Sequence, residues 1–136
     1  MTMNKDIRWR QRFVNFEKAF LQFKEGIELK NPNKIEKQGI IKTFEYSYEL
    51  AWNTLKDYLE SKNIDVKFPR DTIKQAIHYE ILDDGELWMD MLDKRNLLVH
   101  TYDEKTSEFA LRPIKDNYYK ALLKLNDFFK KEMNVS

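Results

Sequence analysis

Cysteine is absent from the 136 residues, which excludes disulfides, thiol nucleophiles and thiolate metal sites together. Histidine occurs only at His78 and His100, too few for a zinc site of ordinary ligand spacing. Neither sign of charge dominates, with 24 basic against 23 acidic residues, so any contact with nucleic acid must come from a local patch. No apolar run approaches the ~18 residues a membrane span needs. The N-terminus carries charges in place of the apolar centre of a secretion signal. Together these absences predict a soluble, cytoplasmic protein with no membrane contact, no metal and no cofactor. Glycine and proline are scarce, at three residues each, so turn formers are few and helices are favoured. No internal repeat, low-complexity tract or shift in composition marks a boundary, and one domain is expected over 1–136.

What is abundant is aromatic residues, 14% of the chain. Trp9, Phe13, Phe16, Phe20, Phe23 and Ile27 alternate by four and three, which predicts a first helix from about Ile7 to Leu29. A nearly all-aromatic stripe fits a core better than a base-stacking surface, because stacking platforms must stay exposed. Arg8, Arg10 and Arg12 run beside it, either as a solvated face or as contacts to an RNA backbone. Asn31-Pro32-Asn33 ends this helix and begins the next, with asparagine as cap and proline suited to a first turn. A second helix from Lys34 to about Lys62 carries Ile41, Phe44, Tyr48, Ala51, Trp52, Leu55 and Leu59 on its core face. Gly39 lowers its helix propensity and would permit close packing. A connector from Asn63 to Pro69 leads to a shorter helix beginning near Arg70 or Asp71, with Ile73, Ala76 and Ile77 inward and His78 structural or exposed. Asp83-Asp84-Gly85 is a turn signal. A fourth helix follows from about Gly85 to Val99, and a fifth from after Asp103 to about Met133, kinked or divided at Pro113. Four long helices and one short one predict an all-α fold, an antiparallel four-helix up-down bundle with an additional short helix.

The stretch with the most chemistry is Asp93 to Asp103. Arg95 is a permanent cation whose planar fork of donors suits phosphate oxygens. His100 can give or take a proton near neutrality. Five helical steps rotate by about 140° net, so both can face one pocket only if His100 lies at or beyond the helix end. The alternative is that His100 merely stabilises the helix C-terminus. On the second helix, Glu45 and Glu49 lie too near core positions for ordinary surface acids. One of them could hold Arg95, or they could pair with Lys42 or Lys56 along their own helix. Asp93 is the third candidate supporting acid.

The spelling Arg95-Asn96-Leu97-Leu98-Val99-His100 resembles the R-x4-H signature of the HEPN superfamily (higher eukaryotes and prokaryotes nucleotide-binding). Continued to Tyr102 as R-x4-H-x-Y, it is similar to the branch encoded beside minimal nucleotidyltransferases. Phe44-Glu45-Tyr46-Ser47-Tyr48-Glu49-Leu50 is similar to that branch's F-E-x-x-x-E-L stretch. The resemblance implies a helical bundle and a toxin-like, metal-independent endoribonuclease, with Arg95, His100 and Asn96 as the catalytic set. It also implies a homodimer that joins two motifs in one cleft, an RNA substrate, and a cognate nucleotidyltransferase that transfers AMP to Tyr102. The alternatives are a non-catalytic accessory subunit of that nucleotidyltransferase and, for Tyr102, a core or interface tyrosine.

Overall fold

The computed structural model describes residues 2–100 and 103–135, and the side chains of 4–99 and 103–135. The elements are α1 (Thr2–Ile27), α2 (Lys34–Ser61), α3 (Pro69–His78), α4 (Gly85–His100), α5 (Glu104–Pro113), a π-helical turn (Ile114–Tyr118) and α6 (Tyr119–Met133). No strand occurs among the described residues. The helix that begins at Glu104 continues through the π turn to Met133, which makes four long helices and one short one.

Ring contacts fix the helix directions. Phe23 near the end of α1 meets Phe44 near the start of α2 at 6.1 Å, so the two run antiparallel. Trp9 meets Phe129 at 5.7 Å and Phe20 stacks on Tyr119 at 5.6 Å, which sets α1 antiparallel to α6. Tyr48 packs on Trp88 at 5.9 Å, while Gln38 and Ile41 lie beside Leu98 and Val99, so α4 also opposes α2. The bundle is therefore up-down, and α3 packs across α2 and α4 as the additional short helix.

The α1 stripe is core: Trp9, Phe13, Phe16, Phe20 and Phe23 are all buried. Each such side chain stabilises the fold by roughly 1.5–3 kcal/mol through removal of apolar area from water. Asn33 caps α2 in a reciprocal box with Glu36, both bonds at 2.8 Å. Pro32 thus precedes the cap and does not enter the first turn. Pro69, by contrast, is the first residue of α3, where its missing N–H costs nothing. Gly39 faces open space, and the close helix approach occurs at Gly26, where a Cβ would stand 2.8 Å from Ile40 Cγ1.

Pro113 divides the last helix in a specific way. Lacking an N–H, it removes one i→i−4 bond, and the next turn widens to π geometry, with the Tyr119 N–H donating to the Ile114 carbonyl. The widened turn places Tyr118 inward, where its hydroxyl donates to Asp90 on α4.

Two of the α1 arginines depart from the expected solvated face. Arg12 Nε binds Asp57 Oδ2 at 2.6 Å, and that aspartate is buried in α2. Arg10 binds Asp6 at 2.9 Å and donates to the Met133 carbonyl at 2.9 Å, closing the C-terminal end of α6. Both are structural ties, and only Arg8 is an exposed arginine of that set.

Candidate active site

The Phe44–Trp52 stretch builds one wall of the site. Phe44 and Tyr48 are fully buried, and the Tyr48 hydroxyl donates to the Trp88 carbonyl at 3.3 Å. Burial pushes that hydroxyl far above the usual tyrosine range, so it stays neutral. Glu45 and Glu49 each follow one of these anchors. They emerge half-buried, one turn apart, where α2 faces α4.

Arg95 comes from the opposite wall. Its Nη2 donates to Glu49 Oε2, and its Nη1 donates to Asn96 Oδ1 at 2.9 Å. Glu49 is itself held: Trp52 Nε1 donates to Oε2 at 3.2 Å and Asn53 Nδ2 to Oε1 at 3.4 Å. Asn53 Nδ2 also bonds the Glu49 carbonyl at 2.8 Å. Of the two open possibilities for these acids, Glu49 takes the arginine, and Lys56 turns to Glu60 at 2.8 Å. A guanidinium has five N–H donors. Among the described residues two are spent, on Glu49 and Asn96, and the side chain retains 25% of its exposure, so it is open to solvent where an anion could approach.

Glu45 behaves differently. It lines a groove of about 250 Å³ with Gln38, Ile41, Lys42, Leu98, Val99 and Ser107. Loss of water around it pushes its carboxyl above the usual glutamate range, against the opposing pull of Lys42 and Arg95. Asp93 does not support Arg95: it is exposed and pairs with Arg70 of α3 at 3.4 Å. Successive helical residues point about 100° apart, which turns Asp93 away from Arg95 and toward α3. His78 is exposed, with its ring edge-on to Tyr79 at 4.9 Å.

The described part of α4 runs to His100. The His100 side chain and all of Tyr102 lie outside the described residues, so their placement rests on the sequence alone. Asn96 is exposed and stands one helical turn before His100 in the backbone, which puts a bonded partner of Arg95 on the histidine's side of the helix.

Sequence reasoning assigned no role to Trp52 and Asn53 in holding Glu49, although their spacings of three and four from it were a usable signal. Ser107, on the far wall of the groove, had no such signal because it belongs to another helix. Among the described residues, no group of three or more His, Asp or Glu could hold a metal ion, and no helix is long and apolar enough to cross a membrane.

Known proteins bear on this geometry. The family described as nucleotidyltransferase substrate binding protein like matches residues 11–131. A Haemophilus influenzae protein named "Probable ribonuclease HepT" is 28% identical over 83 residues, and the match covers 57% of each chain, little more than half of that relative's length. A crystal structure of a protein from Thermus thermophilus superimposes with a TM-score of 0.74 at 32% identity, covering 81% of this chain and 94% of that one.

Proposed function

Because the chain belongs to the nucleotidyltransferase substrate binding protein like family, within the HEPN superfamily, we propose that it is a toxin-type, metal-independent endoribonuclease silenced by adenylylation of Tyr102. The observation that carries this reading is the fixed arginine. Arg95 is held through Nη2 by Glu49 and through Nη1 by Asn96, keeps part of its side chain exposed, and stands five residues before His100.

RNA supplies its own nucleophile, the 2′-hydroxyl next to the scissile phosphate. The protein must then move protons and stabilise charge on the phosphorane. Arg95 presents oriented N–H donors to the equatorial oxygens, which costs little reorganisation when the charge develops. His100 takes the 2′-hydroxyl proton. Asn96 keeps Arg95 turned toward the histidine's side of α4. A homodimer would bring a second motif to the same cleft. Attachment of AMP to Tyr102 adds phosphate oxygens that compete with RNA for Arg95, which explains silencing by a cognate nucleotidyltransferase.

The test is RNA cleavage by the full chain in excess chelator. Wild type should cleave, while Arg95→Ala and His100→Ala should each lose cleavage and keep the helical circular dichroism. Activity that disappears in chelator and returns with magnesium would contradict the reading. A second reading, a non-catalytic subunit that binds for the nucleotidyltransferase, is favoured by one observation: Glu49 already offsets the charge of Arg95. It requires that wild type bind RNA or nucleotide without cleaving, and that both variants lose binding only.

A further inference from the structure

A cleavage that proceeds by 2′-hydroxyl attack needs two proton movements. One group removes the 2′-hydroxyl proton and another protonates the departing 5′-oxygen. The motif of one chain offers a single histidine for both. The groove beside it offers a second group. Its walls are α2, through Gln38, Ile41, Lys42 and Glu45, α4, through Leu98 and Val99, and Ser107 of α5. Leu98 and Val99 directly precede His100, so this groove reaches the backbone next to the motif histidine.

We propose that Glu45 is the general acid that protonates the 5′-oxygen leaving group, a role that rests on the ribonuclease reading above. Two carboxylates one turn apart on α2 divide the work. Glu49 is engaged by Arg95, Trp52 and Asn53 and acts as a positioning residue. Among the described residues the Glu45 carboxylate has no hydrogen-bond partner, and it lines the groove. The described charged groups that face it are Lys42 on its own helix and Arg95 on α4, while α5 contributes the uncharged Ser107. Desolvation outweighs those two cations, so the carboxyl holds its proton to higher pH than an ordinary glutamate.

The step balances. As the 2′-oxygen forms its bond to phosphorus, His100 accepts the 2′-hydroxyl proton and Arg95 meets the phosphorane charge. As the bond from phosphorus to the 5′-oxygen breaks, Glu45 gives its proton to that oxygen. The products are a 2′,3′-cyclic phosphate and a 5′-hydroxyl. His100 then releases a proton to water and Glu45 regains one.

The experiment compares wild type and Glu45→Gln on two RNA substrates, one natural and one with a bridging 5′-sulfur at the scissile bond, each across a pH series in chelator. A thiolate leaves without protonation, since thiols ionise near pH ~8.5. On the natural substrate Glu45→Gln should lower kcat about a hundredfold, with little change in KM, and should lose the alkaline limb of the profile. That limb exists because Glu45 must be protonated to act, so activity falls as pH rises through its raised pKa. On the sulfur substrate the variant should match wild type to within about threefold. Equal slowing on both substrates, or full activity on the natural one, overturns the assignment and leaves the acid to a second histidine across a dimer. If wild type itself cleaves neither substrate, the ribonuclease reading fails first and the assignment falls with it.

Discussion

Glu49→Ala separates anchoring from stability, because the structure predicts a large effect on one and a small effect on the other. The substitution removes the acceptor for Arg95 Nη2 and leaves the Trp52 indole N–H, 3.2 Å from the lost oxygen, to water. The Glu49 side chain is 42% exposed, so solvent screens the pair, and the loss of fold stability should stay within about 0.2–1 kcal/mol. Catalysis depends on position more steeply. With Glu49 gone, Arg95 keeps, among the described residues, its bond to Asn96 alone, and that single contact leaves the guanidinium free to rotate about it. A displacement of ~1 Å in a charge-stabilising group costs on the order of a hundredfold. Glu49→Ala should therefore lower kcat by roughly 10–100-fold, and Glu49→Gln, which keeps a weaker neutral acceptor, by about fivefold. The assay is single-turnover RNA cleavage in chelator beside thermal unfolding of the same preparations. Unchanged or increased cleavage by Glu49→Ala would refute the anchoring argument, because Glu49 would then compete with the RNA phosphate for Arg95.

Tyr102→Phe should retain ribonuclease activity and gain no mass when incubated with the cognate nucleotidyltransferase and ATP, whereas wild type should gain AMP and be silenced; equal mass gain in both would place the modification elsewhere. Phe16 is fully buried among Phe13, Phe20 and Phe129, with ring separations of 6.2 to 6.4 Å. Phe16→Ala should cost about 3–5 kcal/mol in denaturant unfolding, and a loss below about 1 kcal/mol would mean that the aromatic stripe is not the core. Arg12→Ala leaves the buried Asp57 carboxylate, 5% exposed, without its partner and should cost about 1–3 kcal/mol. The double variant Arg12→Leu/Asp57→Leu should recover much of that loss, and a double variant less stable than the single one would contradict this account.

The helices and their inward faces were legible in the chain, because helix periodicity, caps and breakers are local. The aromatic stripe of α1, the boundary at Asn33, the start of α2 at Lys34 and the disruption at Pro113 are all set by residues within a few turns of one another. The arginine and histidine also stood out locally, since their types and spacing can be read along one helix. Which carboxylate Arg95 takes, by contrast, depends on how the helices pack. Glu45 and Glu49 lie one turn apart on nearly the same face of α2, and helical geometry alone treats them as equivalent. The axial offset of α4 against α2 distinguishes them, and the packing of Tyr48 on Trp88 sets that offset. The same dependence explains why Asp93 pairs with Arg70, why Arg12 meets Asp57 some 45 residues away, and why Ser107 closes a groove begun on α2. Each of these contacts joins separate helices, and their relative register comes from how bulky side chains interdigitate across the bundle, for which no periodicity within one helix carries a record.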